Sequence, residues 1–132
     1  MPAVTRWAVR TALVYLVAAL GLGVVAAAAP ASGLGPTTVH LLVVGWLTQL
    51  IFGVAFWMFP KREPSNARLR ERLAWAAYGL LNAGLVLRAA VEPLVARGYE
   101  PLGPLLVASA LCQWLAAVAF VADTWPRVRG RG

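Results

Sequence analysis

Histidine and cysteine each occur once in these 132 residues, and acidic residues number only five. The single cysteine, Cys112, excludes a disulfide framework and a cysteine-based zinc site. With one imidazole, His40, and one thiol, the chain offers no recognisable catalytic constellation. Charge is also scarce, at 13% of residues against 61% hydrophobic. A soluble domain this small has too much surface for its volume to hide that much apolar side chain.

What is present is length in apolar runs. Four blocks, about 7–29, 37–59, 73–91 and 102–123, each match the roughly 20 residues that cross a bilayer core as a helix. The expected fold is therefore all-α: a single four-helix transmembrane domain spanning 1–132, an integral membrane bundle. Arg6 and Arg10 ahead of the first block, with Ala27, Ala28 and Ala29 near its end, resemble a signal peptide. The apolar run is long for one, so the block is expected to be retained. Pro30 to Pro36 has the composition of a short uncharged connection, and Pro60 to Arg72 that of a basic one broken by prolines. Glu92 to Pro101 carries Pro93, Gly98 and charges of both signs.

The formal charge of +7 would point to nucleic acid in a soluble protein. Here the charges lie between apolar blocks, so no nucleic-acid partner is expected and the charges are topology signals. Ten of the twelve basic residues fall at the N-terminal end, in the second link and in the tail. Arg88 and Arg97 lie at or in the third link, and the first link has none. Basic residues are retained on the cytoplasmic side, which predicts a multi-pass protein of the inner (cytoplasmic) membrane with both termini inside. Trp7, Trp57, Trp75 and Trp125 at the same ends agree, as an aromatic belt would.

Polar residues can then be sorted by depth at about 1.5 Å per residue. His40 and Arg88 each lie one turn inside the outer end of their helices. Gln49, Asn82, Gln113 and Ser109 form a deeper layer, read as cross-helix hydrogen bonding. Gly45, Gln49 and Gly53 share a stripe that permits close helix approach. Trp46, Trp114 and Cys112 are read as packing groups. At about 100° per residue, His40 points away from that stripe. If the stripe packs inside the bundle, the imidazole is expected to face a second chain, a cofactor or lipid. Two readings stay open at this point: a histidine bonded to a carbonyl or water near the interface, and a ligand.

The segment HLLVVGWLTQLIFGVAFWMFP, from His40 to Pro60, resembles the second helix of small four-helix membrane proteins related to subunit I of the heme-copper oxidases. It shares with them a histidine at the outer end, then Gly-Trp, a later glycine, and Met-x-Pro at the exit. Trp75 to Arg88 and Trp125 to Arg129 are similar to that family's later segments. The resemblance implies that His40 is an axial ligand to the iron of heme b, in a protein of electron transfer or heme and gas-ligand binding with a respiratory-chain partner. Under it, Arg88 or Arg97 would face heme propionates, and Thr37 would orient the imidazole through its second nitrogen. For Arg88, an ion pair with Glu92 is the alternative.

The further histidines of those oxidases are missing, so oxygen reduction by this chain alone is not expected. Met58 cannot complete the iron's coordination within one helix, being about 27 Å along the axis from His40. A His/His site needs two chains, so the iron is expected either to be shared within a homodimer or to be left five-coordinate. A second reading is a cofactor-free accessory or assembly subunit of a respiratory membrane complex. A third, a small multidrug-type transporter, depends on a carboxylate in the first helix, and the first block has no Asp or Glu.

The expected topology is checked by cysteine accessibility scanning. A cysteine placed at Ser65 should react only after the membrane is permeabilised, and labelling from the external side would overturn the orientation.

Overall fold

A computed structural model describes residues 2–59 and 67–128. Four helices account for nearly all of them: α1 (Ala3–Ala28), α2 (Gly35–Met58), α3 (Ala67–Ala96) and α4 (Gly103–Val128). All four are long and apolar enough to cross a membrane. Helices suit that solvent because each backbone N–H and C=O is satisfied within its own segment. Among the described residues there is no strand.

The helices outrun the apolar blocks. α3 begins at Ala67, so Arg68, Arg70 and Arg72, expected in a connection, form its first turns. Lys61 and Arg62 of that connection, and Arg129 and Arg131 of the tail, lie outside the described residues. α3 also continues through Pro93 to Ala96 where a link was expected. A proline removes one N–H bond to the residue four back. So near the helix end this is tolerated, and Arg97 N–H closes the last turn onto Pro93 O at 3.2 Å. Hydropathy marks the thickness of the apolar solvent, whereas the hydrogen-bond ladder runs on for as long as local geometry allows.

The connections are tight. A 3₁₀ turn at Pro30–Ser32 ends on Gly33 in the left-handed region, φ 72°. Pro36 sits in the first turn of α2, where its missing N–H costs nothing. Gly98, at φ 102°, turns the chain out of α3 toward a second 3₁₀ turn at Glu100–Leu102.

Two hairpins result. α1 packs on α2 through the predicted stripe: Gly53 faces Ala8 and Thr5, and Gly45 faces the Tyr15 ring. Thr5 Oγ1 donates to Gly53 O at 3.0 Å and Gln49 Nε2 to Ala8 O at 3.3 Å. α3 packs on α4 at Gly84, against Ser109, Cys112 and Gln113. Small residues let backbones approach where lipid offers no hydrophobic drive between helices.

Between the hairpins the core is apolar, with Leu81, Leu85, Ala77 and Ala116 at its centre. Phe52 of α2 stacks on Phe120 of α4 with centroids 4.0 Å apart, and Phe56 meets Phe120 edge-on at 5.5 Å. Such pairs contribute about 0.5–1.5 kcal/mol beyond their burial. The outward faces of α1 and α4 carry exposed Val17, Val24, Val118 and Trp125, as a lipid-facing surface should. Trp114 belongs to that surface, being 62% exposed, and is not the packing group expected from its depth.

α2 is not uniformly α-helical. From Leu41 to Thr48 its ladder is π-type, and Thr48 Oγ1 donates to Val43 O, five residues back, at 2.9 Å. The π stretch starts at the residue after His40 and contains Gly45.

Glycine substitutions separate the close contacts from the open positions. A Cβ at Gly84 would lie 2.8 Å from both Ser109 O and Gln113 Cγ, whereas one at Gly79 meets nothing within 4 Å. Gly84→Ala is therefore expected to lower the unfolding temperature in detergent. Gly79→Ala should be neutral or raise it, since alanine is favoured over glycine in a helix by up to about 1 kcal/mol. Equal melting temperatures for the two variants would mean that the α3–α4 seam is not close-packed.

Candidate functional site

His40 ends the first α-helical stretch of α2 and is half-buried. Its ring does not point out of the bundle toward lipid but meets a neighbouring helix of the same chain. Nε2 lies 2.9 Å from Oε1 of Gln113 on α4. The stripe packs on α1 while the imidazole packs toward α4, so both faces of α2 are used within one chain. From Gln113 the chain of bonds continues: Nε2 donates to Ser109 Oγ at 3.1 Å, and Ser109 Oγ donates to Gly84 O of α3 at 2.5 Å. Three helices thus meet in one polar line, ending on a backbone carbonyl.

Residues that counting by depth placed in separate layers are joined here. Such counting takes helix starts as level and axes as parallel, and neither is specified by the sequence. The signal that could have found the relay is the i, i+4 pair Ser109 and Gln113, two hydrogen-bonding side chains on one face of an otherwise apolar helix.

The other candidates do not converge on the ring. Arg88 Nε donates to Glu92 at 2.7 Å, which is the internal ion pair. Arg97 is exposed and makes one long bond, 3.4 Å, to Ser32 O. Thr37 is buried, but its Oγ1 has no hydrogen-bond partner among the described residues. The group bonded to His40 Nε2 is Gln113. Asn82 donates back to Tyr78 O of its own helix at 2.7 Å, not across to a neighbour.

At the opposite end of the bundle is a second polar cluster that the sequence reading missed. Arg127, counted there as a tail charge, is 7% exposed and inside α4. Nη1 donates to Asp123 at 2.8 Å, and Nη2 donates to Phe59 O at 2.6 Å and Phe56 O at 3.2 Å. The last carbonyls of a helix have no partner in their own ladder, so α4 caps α2. The i, i+4 spacing of Asp123 and Arg127 was the available signal.

Among the described residues, no group of three or more His, Cys, Asp or Glu is placed to hold a metal ion. One axial bond to an iron needs only one imidazole with a free lone pair, and His40 supplies that. Its donor chemistry fits a heme iron.

These features define a class: a four-helix integral membrane protein with one imidazole fixed at the seam between two helical hairpins. The chain belongs to the NnrS family, whose model, described as NnrS protein, matches residues 4–131. Neither a curated protein nor a solved structure matches it.

Breaking a buried ion pair leaves an uncompensated charge and costs about 3–5 kcal/mol. Arg127→Met should therefore destabilise the bundle strongly in thermal unfolding, and adding Asp123→Asn should recover part of the loss. A single variant as stable as the parent would show that the cluster does not hold α4 to α2.

Proposed function

We propose that this chain is a b-type heme-binding protein of the cytoplasmic membrane that binds a small gas ligand or passes electrons, with His40 as the protein ligand to iron. One observation carries the reading. The chain's single imidazole is half-buried at an inter-helix seam and held by an amide rather than by a carboxylate. The family supports it, being associated with heme and with the response to nitric oxide. The likeness of α2 to the oxidase heme-ligating helix points to the same residue. Heme, when bound, would supply an iron that exchanges small ligands and electrons.

The residues of the chain do the rest. His40 holds the iron, and Gln113 orients the ring from its other side, the kind of outer partner that metal-ligating histidines need. Arg97 is the cation offered to a propionate. Arg88 joins it only by leaving Glu92. The apolar walls of α2 and α4 keep water away. With one histidine per chain, a heme held by two imidazoles would need two copies, that is, a homodimer sharing one heme. Both termini lie on the basic, cytoplasmic side.

One observation favours a second reading, a cofactor-free accessory subunit of a respiratory complex: His40 Nε2 already has a partner inside the chain. The optical spectrum of protein made under heme-sufficient conditions separates the two. The heme reading expects a Soret band, lost in His40→Ala, with one heme per two chains and a low-spin signal. One heme per chain with a high-spin signal would replace the shared site by a five-coordinate one. A spectrum unchanged in His40→Ala would remove His40 as ligand, and no heme at all favours the accessory subunit.

A further inference from the structure

The relay between α3 and α2 has a direction. Gly84 O can only accept, and Ser109 Oγ lies 2.5 Å from it, so the hydroxyl proton is committed there. Ser109 Oγ is then left as an acceptor for Gln113 at 3.1 Å. The amide must turn its NH₂ toward Ser109, since the reverse orientation would set two lone-pair oxygens against each other at that distance. Its Oε1 consequently faces His40, 2.9 Å from Nε2. An amide oxygen brings no proton, so Nε2 has to carry one.

We infer that Gln113 and Ser109 are positioning residues that lock the neutral His40 ring as the Nε2–H tautomer, leaving Nδ1 as the nitrogen with a free lone pair. The tautomer stands on the hydrogen bonds alone, while its use at an iron rests on the heme reading above. A Lewis acid bound at Nδ1 leaves the relay intact. One bound at Nε2 has to displace Gln113. Gly84 belongs to the device as well: a Cβ there would lie 2.8 Å from Gln113 Cγ and from Ser109 O, pushing apart the two helices that the relay joins. Which ring nitrogen of a histidine is protonated is set by the hydrogen bond it makes, and here that bond is traced back to a fixed backbone carbonyl.

With one histidine per chain, the ring can be read without assignment. The test is nitrogen NMR of the full chain, labelled at histidine, carrying no polyhistidine tag, heme-free, in lipid nanodiscs. The wild type should show one imidazole, with Nε2 of the protonated type and slow to exchange its proton, and Nδ1 of the unprotonated type.

Gln113→Leu and Ser109→Ala should each give a tautomer-averaged ring with faster proton exchange at unchanged helix content by circular dichroism. Gln113→Glu, which keeps an acceptor oxygen at the same reach, should restore the Nε2–H signal. A wild-type ring protonated at Nδ1, or a Gln113→Leu spectrum identical to the wild type, would overturn the inference. The heme reading fails separately, on the absence of a Soret band, with the tautomer signal in place. Conversely, heme uptake by a chain whose ring is protonated at Nδ1 would overturn only the tautomer.

Discussion

A donor buried in a bilayer must find its acceptor inside the protein, because neither water nor lipid tails supply one. That constraint organises this bundle more than apolar packing does, since side chains lose little by facing lipid instead of one another. Thr5, Gln49, Ser109 and Arg127 all reach a backbone carbonyl of another helix. Each bond of this kind is worth on the order of 1 kcal/mol. Their value to the fold is in register: a carbonyl occupies one place on a helix, and a side chain that must reach it sets rotation and height together.

The two hairpins show how this works. Within each, close contact at Gly45 and Gly53 or at Gly84 brings the backbones together, and a hydroxyl or amide then locks the pairing. Between them, the ties are fewer and span the height of the bundle. His40 to Gln113 lies toward one end, Thr11 to Tyr78 joins α1 to α3 at 2.8 Å, and Arg127 grips the far end of α2. Removing either the imidazole or the Gln113 amide would therefore loosen one seam.

Much of the architecture was legible because hydropathy over some 20 residues measures a solvent thickness. The four spans, their order and the small-residue stripe of α2 all follow from that and from helical periodicity. Where the reading failed, the missing information was tertiary. That His40 faces α4 depends on which neighbour α2 acquires on its second side, and periodicity within one helix does not contain this. The π stretch at Leu41–Thr48 also changes the angle per residue that the estimate of facing direction assumed. Arg127 was counted among the topology charges of the tail because it follows the apolar run, yet its helix continues and turns it inward onto Phe56 and Phe59. Arg88 shows the opposite: its partner lies four residues away, so local spacing offered the ion pair as the alternative to a propionate.

The clamp of α4 on the end of α2 bears on biosynthesis. Chains emerge and fold from the N-terminus onward, so α2 is in the membrane well before α4 exists. Until Arg127 leaves the ribosome, the carbonyls of Phe56 and Phe59 lack the cap it provides and Asp123 lacks the cation that neutralises it. A nascent chain halted just short of that residue would leave those two carbonyls without their partner on α4. Of the inter-helix ties described above, the one made by Arg127 is thus the last that synthesis can complete.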